Sequence, residues 1–102
     1  MSRLAQLQTF LQAEPNDTFL RYALAMEYAK LDQFEDALRE FNTLLTANPN
    51  YVPAYFMAGR TCEQNADNES AKTFYKKGIE VATRTGDTHA AAEISSALFA
   101  IE

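Results

Sequence analysis

At 102 residues, 47% of them hydrophobic, the chain carries enough apolar surface for one small folding unit with a modest core. Its formal net charge of -5 and pI near 4.8 work against binding a polyanion, because phosphate contacts need an excess of Lys and Arg; no nucleic-acid ligand is expected. One cysteine, Cys62, excludes an internal disulfide, and one Cys with one His cannot assemble the ordinary zinc spacings, so neither a metal nor another cofactor is expected.

The N-terminus, "MSRLAQLQTFLQAEP", interrupts its apolar residues with Gln and Thr and so lacks the apolar region of a secretory leader. No apolar run approaches the roughly 20 residues that span a bilayer, so no membrane partner is expected. A reducing, cytoplasmic setting is the simplest expectation.

Apolar residues recur at helical rather than strand spacing throughout, which predicts an all-α chain of about six helices with short connections. Leu4, Leu7, Phe10 and Leu11 mark one face of a first helix over 2–14, ended by Pro15. Asn16 or Asp17 can cap a second helix with Leu20, Leu24, Tyr28 and Leu31 on one side. Asp32 with Glu35 has the spacing of a capping box and opens a third, bearing Phe34, Ala37, Leu38, Phe41, Leu44 and Leu45. Asn48 suits a left-handed helix end, Pro49 cannot continue the helix, and Pro53 is acceptable in the first turn of the fourth. That helix runs to about Gln64, a fifth from about Asn68 to Thr83, and "TGD" at 85–87 precedes a last one reaching the C-terminus.

Pro15 recurs as Pro49, Ala37 as Ala71, Phe41 as Tyr75 and Ala25 as Gly59, every pair at the same interval along the chain. That interval, about 34 residues and two helices, is the period of tetratricopeptide repeats, and the chain resembles that family. The first full repeat, 18–51, has Leu24, Ala25, Tyr28, Ala37, Phe41 and Pro49 where the family pattern wants Leu, Gly, Tyr, Ala, Phe and Pro. It departs at Arg21, where an aromatic is expected, and at Leu44, where a small residue is. The second, 52–85, has Tyr55, Gly59, Ala71, Tyr75 and Gly78 in place and departs at Ala58, Cys62 and Thr83. Residues 2–14 resemble the second helix of a preceding partial repeat. Over 86–102 the pattern lapses: His89, Glu93 and Ser96 fall where apolar residues belong, whereas Ala90, Ala91, Ile94, Leu98 and Ile101 suit a capping helix in a shifted register. The resemblance implies a right-handed superhelical stack of antiparallel helical hairpins.

No nucleophile with a base, carboxylate pair in an apolar setting, phosphate-cradling glycine loop or metal cluster stands out, so no catalytic residue is assigned and an enzyme is not expected. His89 has no second ligand, and Cys62 lies on the core face of the fourth helix as a small hydrophobe. Glu35, Asp36, Glu40, Lys72, Lys76 and Lys77 read as solvated outer faces. The informative stripe is on the first helix of each repeat: Phe19, Tyr22, Met26 and Ala29, then Pro53, Phe56, Arg60 and Glu63. It lies away from Leu24 and Tyr28, and a helix apolar on two faces wants two partners.

The resemblance places these stripes on a concave groove that holds a peptide or helix of a partner protein. The candidate ligand surface is therefore Phe19, Tyr22, Met26, Lys30, Phe56, Arg60 and Glu63, types that include those enriched at interfaces. The bland alternative is that the stripe merely packs adjacent helices together. Tyr22, Met26, Phe56 and Met57 stand at several sites where family members that clamp a C-terminal carboxylate carry Lys, Asn and Arg, so that mode is not implied. A self-assembly module, a homodimer formed through the groove or through Ile94, Leu98, Phe99 and Ile101, is the alternative function.

Overall fold

The computed structural model describes every residue from Met1 to Glu102. Six helices follow one another: α1 (Arg3–Ala13), α2 (Thr18–Lys30), α3 (Phe34–Ala47), α4 (Val52–Gln64), α5 (Asn68–Thr85) and α6 (Thr88–Ile101). Side chains start four of them: Ser2, Asp17, Asp67 and Asp87 accept the backbone N–H of Ala5, Leu20, Ser70 and Ala90, satisfying a donor that has no partner within the helix. The helices stack as antiparallel hairpins, α2 on α3 and α4 on α5, flanked by α1 and α6, in a body of 39 × 29 × 19 Å.

Each hairpin turns on one left-handed residue. Asp32 and Ala66, equivalent positions of the two repeats, have φ of 60° and 59°, and Gly86 repeats the device at 82° between α5 and α6. The following N–H in each case reaches back to a carbonyl near the end of the preceding helix: Gln33 to Tyr28, Asp67 to Cys62 and Asp87 to Ala82, at 2.8 to 2.9 Å. Asp32 is thus spent on ending α2 and forms no capping box with Glu35; α3 starts at Gln33 without a side-chain cap. Asn48 is extended (φ -138°) rather than left-handed, because Pro49 already stops α3 and "NPNY" provides length to reach α4. Leu31 closes α2 from the exposed side of its last turn, and Phe10 is 55% exposed because α1 packs against α2 alone, through Leu7 and Leu11.

Within a hairpin the helices approach at small residues and trap an aromatic ring. Ala25 and Ala37 are fully buried beside Phe41, as Gly59 and Ala71 are beside Tyr75. A methyl added to Gly59 would fall closer than 3.0 Å to three ring carbons of Tyr75, and one added to Gly78 would lie 2.9 Å from Cβ of Tyr55. The departures of the first repeat answer each other. Tyr55 hydroxyl donates to the Pro49 carbonyl at 2.7 Å; Arg21, one repeat earlier, reaches the Pro15 carbonyl with its guanidinium at 3.1 Å and pairs with Glu40 at 2.6 Å. A slender Arg in place of Tyr leaves space for Leu44 where the second repeat needs Gly78, and both line a crevice of about 350 Å³ with Pro15 and Ala47.

The C-terminal departure has a similar local cause. With Thr83 instead of proline, α5 continues to Thr85 and is 18 residues long against 14 for α3. α6 then begins at Thr88, two positions beyond Gly86, the repeat equivalent of Val52, and it docks on a different face. The counterparts of buried Ala54, Ala58 and Thr61 are Thr88, Ala92 and Ser95, all exposed; α6 buries Ile94 and half-buries Ala90, Ala91, Ala97, Leu98 and Ile101.

Gly59→Ala removes a glycine from a helix interior, which alone gains about 1 kcal/mol. The ring of Tyr75 reverses the sign: urea denaturation is expected to show a net loss of about 1 to 3 kcal/mol, the usual cost of overpacking, and an unchanged or higher midpoint would deny the close approach. For the Arg21–Leu44 pair, Arg21→Tyr is expected to destabilise alone and to be partly rescued by Leu44→Ala, with a coupling of about 0.5 kcal/mol or more in a double-mutant cycle.

Candidate partner-binding groove

Tyr22 and Phe56 sit directly above the trapped rings. Tyr22 meets Phe41 edge-on with centroids 6.2 Å apart, and Phe56 meets Tyr75 at the same 6.2 Å, so each repeat carries the same aromatic pair. Tyr22 also leans on Tyr51 at 5.5 Å, and burial, then the neighbouring Tyr51, raises its hydroxyl pKa. Both residues are half-buried: their inner edges belong to the core and their outer edges to the surface.

Three shallow hollows run along this face. Phe19, Tyr22, Ala23, Met26 and Lys30 with Arg3 and Glu27 line the first, of about 430 Å³. Met26, Ala29 and Lys30 of α2 face Met57, Arg60, Thr61 and Gln64 of α4 across the second, of about 160 Å³. Val52, Pro53 and Phe56 meet Asp87, Ala90, Glu93 and Ile94 of α6 across the third, of about 130 Å³. Phe19 is 67% exposed, and the Arg60 guanidinium stands 5.9 Å over the Phe56 ring.

Six of the seven residues singled out from the sequence thus share one face of α2 and α4. Glu63 stands apart from them: it accepts a hydrogen bond from the hydroxyl of fully buried Tyr75, and burial, then this bond, drives the Tyr75 pKa up. Sequence reasoning missed Arg3 and Glu27, an ion pair at 3.5 Å that walls the first hollow, and the α6 contribution of Asp87, Ala90, Glu93 and Ile94. The period held a signal for α6, since Phe56 and Arg60 map one repeat onward to Ala90 and Ile94.

No three His, Cys, Asp or Glu side chains converge as metal ligands, and His89 is exposed with Glu93 at 3.3 Å. Cys62 is buried, and burial, then the Asp67 charge, lifts its thiol from 9.0 to about 11. No helix is long and apolar enough to cross a membrane.

The raised thiol pKa fixes a direction. Between pH 9 and about 11 the folded chain holds a proton that the unfolded chain has released, so stability falls as pH rises through that window. Denaturation midpoints measured across it are expected to decline, and Cys62→Ala to flatten part of the decline; Tyr22 and Tyr75, whose pKa values burial also raises, act in the same direction.

The tetratricopeptide repeat family model matches residues 20–51 and 52–85, well over half of the chain. Among solved structures, a tetratricopeptide repeat domain protein from Salinibacter ruber is 36% identical, with a TM-score of 0.81 over 86% of this chain and 89% of its own. A Bordetella parapertussis protein is 25% identical, with a TM-score of 0.86 over 99% of this chain and 88% of its own. YrrB, described as a TPR protein with an unusual peptide-binding site, is 25% identical, with a TM-score of 0.79 over 91% of this chain and 46% of its own. The hairpin period, the ring trapped at each small-residue contact and these matches agree: the chain belongs to the tetratricopeptide repeat family.

Proposed function

We propose that this protein is a non-catalytic interaction scaffold whose concave face, across α2, α4 and α6, holds a peptide or helix of a partner protein. The observation that carries this reading is Phe19, a large apolar side chain 67% exposed at the edge of a face already lined by half-buried Tyr22, Met26 and Phe56. An exposed ring continuous with such a face gives a partner apolar area to cover. The peptide-binding site of YrrB supports the same use of a related scaffold.

The half-core position of Tyr22 and Phe56 decides which substitutions are informative. Truncating either removes stacking on Phe41 or Tyr75 and weakens the fold along with the surface. Phe19→Ser with Met26→Gln alters the face with less cost to the core. Peptides selected from an unbiased displayed library on the wild type are expected to lose about tenfold or more in affinity on that double variant, while its helicity and melting stay near wild type. Peptides that bind both proteins equally would place the interaction elsewhere.

Self-association is the second reading, favoured by Phe99, which is 83% exposed at the end of α6 beside half-buried Leu98 and Ile101. The exposed face of α6 is otherwise mostly small, Ala92, Ser95, Ser96 and Ala100, with His89 and Glu93 its only titratable groups. Sedimentation equilibrium separates the readings: a monomer leaves the groove for another protein, whereas a dimer dissolved by Phe99→Ser assigns α6 to a second copy.

A further inference from the structure

Building on the groove reading, we infer that the bound segment carries an acidic side chain between its apolar anchors, and that this group lies over the α2–α4 hollow against Lys30 and Arg60. Most cations of this acidic chain are already paired. Of its nine Lys and Arg, five have a carboxylate partner: Arg3 with Glu27, Arg21 with Glu40, Arg39 with Asp36, Lys72 with Glu69 and Lys77 with Glu80. Arg84 donates to the Asn50 side chain at 2.9 Å. Lys30, Arg60 and Lys76 remain, and Lys76 is on the outer helix α5.

Lys30 and Arg60 therefore stand without a carboxylate in a chain of net charge -5, and they stand together, flanking Met26, Ala29 and Met57. The acids nearest along their own helices are occupied: Glu27 by Arg3 and Glu63 by the Tyr75 hydroxyl. The dipole of α2 accounts for a cation in its last turn at Lys30. It does not account for Arg60, well inside α4 and stacked over Phe56.

The other end of the face has the opposite sign, since Asp87 and Glu93 border the hollow between α4 and α6. A ligand carboxylate is thus attracted to the α2–α4 hollow and repelled from the α4–α6 one. The face continues beyond Lys30 and Arg60 in two partly apolar hollows, with Phe19 and Tyr22 in the one beside α1 and Phe56, Ala90 and Ile94 in the one beside α6. A segment that fills them runs past Lys30 and Arg60, so the group they meet is a side chain within the segment and not a chain-terminal carboxylate.

Two displayed libraries test this, both of peptides about four helical turns long with Leu, Ile, Met or Phe at i, i+3, i+4 and i+7. Flanking positions are Glu, Asp or Gln in one and Lys, Arg or Gln in the other. The acidic library is expected to enrich on the wild type and its best peptide to lose about tenfold or more on Lys30→Glu with Arg60→Glu, with the preference between libraries reversed. Amidating the peptide C-terminus is expected to leave affinity unchanged. Equal enrichment of both libraries, or indifference to the double reversal, overturns the charge assignment and leaves the groove reading standing. Loss on amidation overturns the mid-segment placement. Enrichment of neither library counts against the groove itself, and the inference falls with it.

Discussion

The contact on which everything else rests is the close approach of the two helices in each hairpin. Ala25 with Ala37, and Gly59 with Ala71, let the helices come near enough to trap Phe41 and Tyr75 with no exposed surface at all. A trapped ring fixes what lies above it, and Tyr22 and Phe56 take that place at 6.2 Å. The concave surface is in this sense the upper side of the core. A face built so is preformed, and preorganisation lowers the entropy cost of binding.

On the proposed reading, stability and recognition share residues. The inner edges of Tyr22 and Phe56 stack in the core while their outer edges line the hollows, and Met26 borders two hollows at once. The side chains committed to the surface alone are those at the margins, Phe19, Lys30 and Arg60. If the proposed groove binds a partner, its specificity is most free to change there, because the core does not depend on them.

The departures from the repeat pattern are local exchanges rather than defects. Arg21 replaces an aromatic yet still bonds a proline carbonyl, as Tyr55 does one repeat later, and its thinner stem admits Leu44. Thr83 in place of proline lengthens α5, and α6 packs through Ala90, Ala91, Ile94, Leu98 and Ile101, the residues its own spacing marks. Both exchanges keep buried polar groups satisfied: no buried side-chain nitrogen or oxygen lacks a partner.

By itself the sequence determined the helices, their hairpin pairing and the stripe on α2 and α4, because these follow from helical periodicity, proline punctuation and a repeat interval that a linear reading can count. Local chemistry at the turns was less legible: Asp32 has the spacing of a capping box but takes the left-handed site, and only the reversal of the chain there decides between the two. Tertiary structure decided the rest. Phe10 is apolar at the right spacing and still exposed, since α1 packs on α2 through Leu7 and Leu11 instead. Glu63 falls on the stripe by periodicity but is drawn to a hydroxyl on α5, and Asp87 and Glu93 border the third hollow because α6 packs beside α4. Which face of a helix meets which neighbour is set by docking between elements, and spacing along one chain does not contain it.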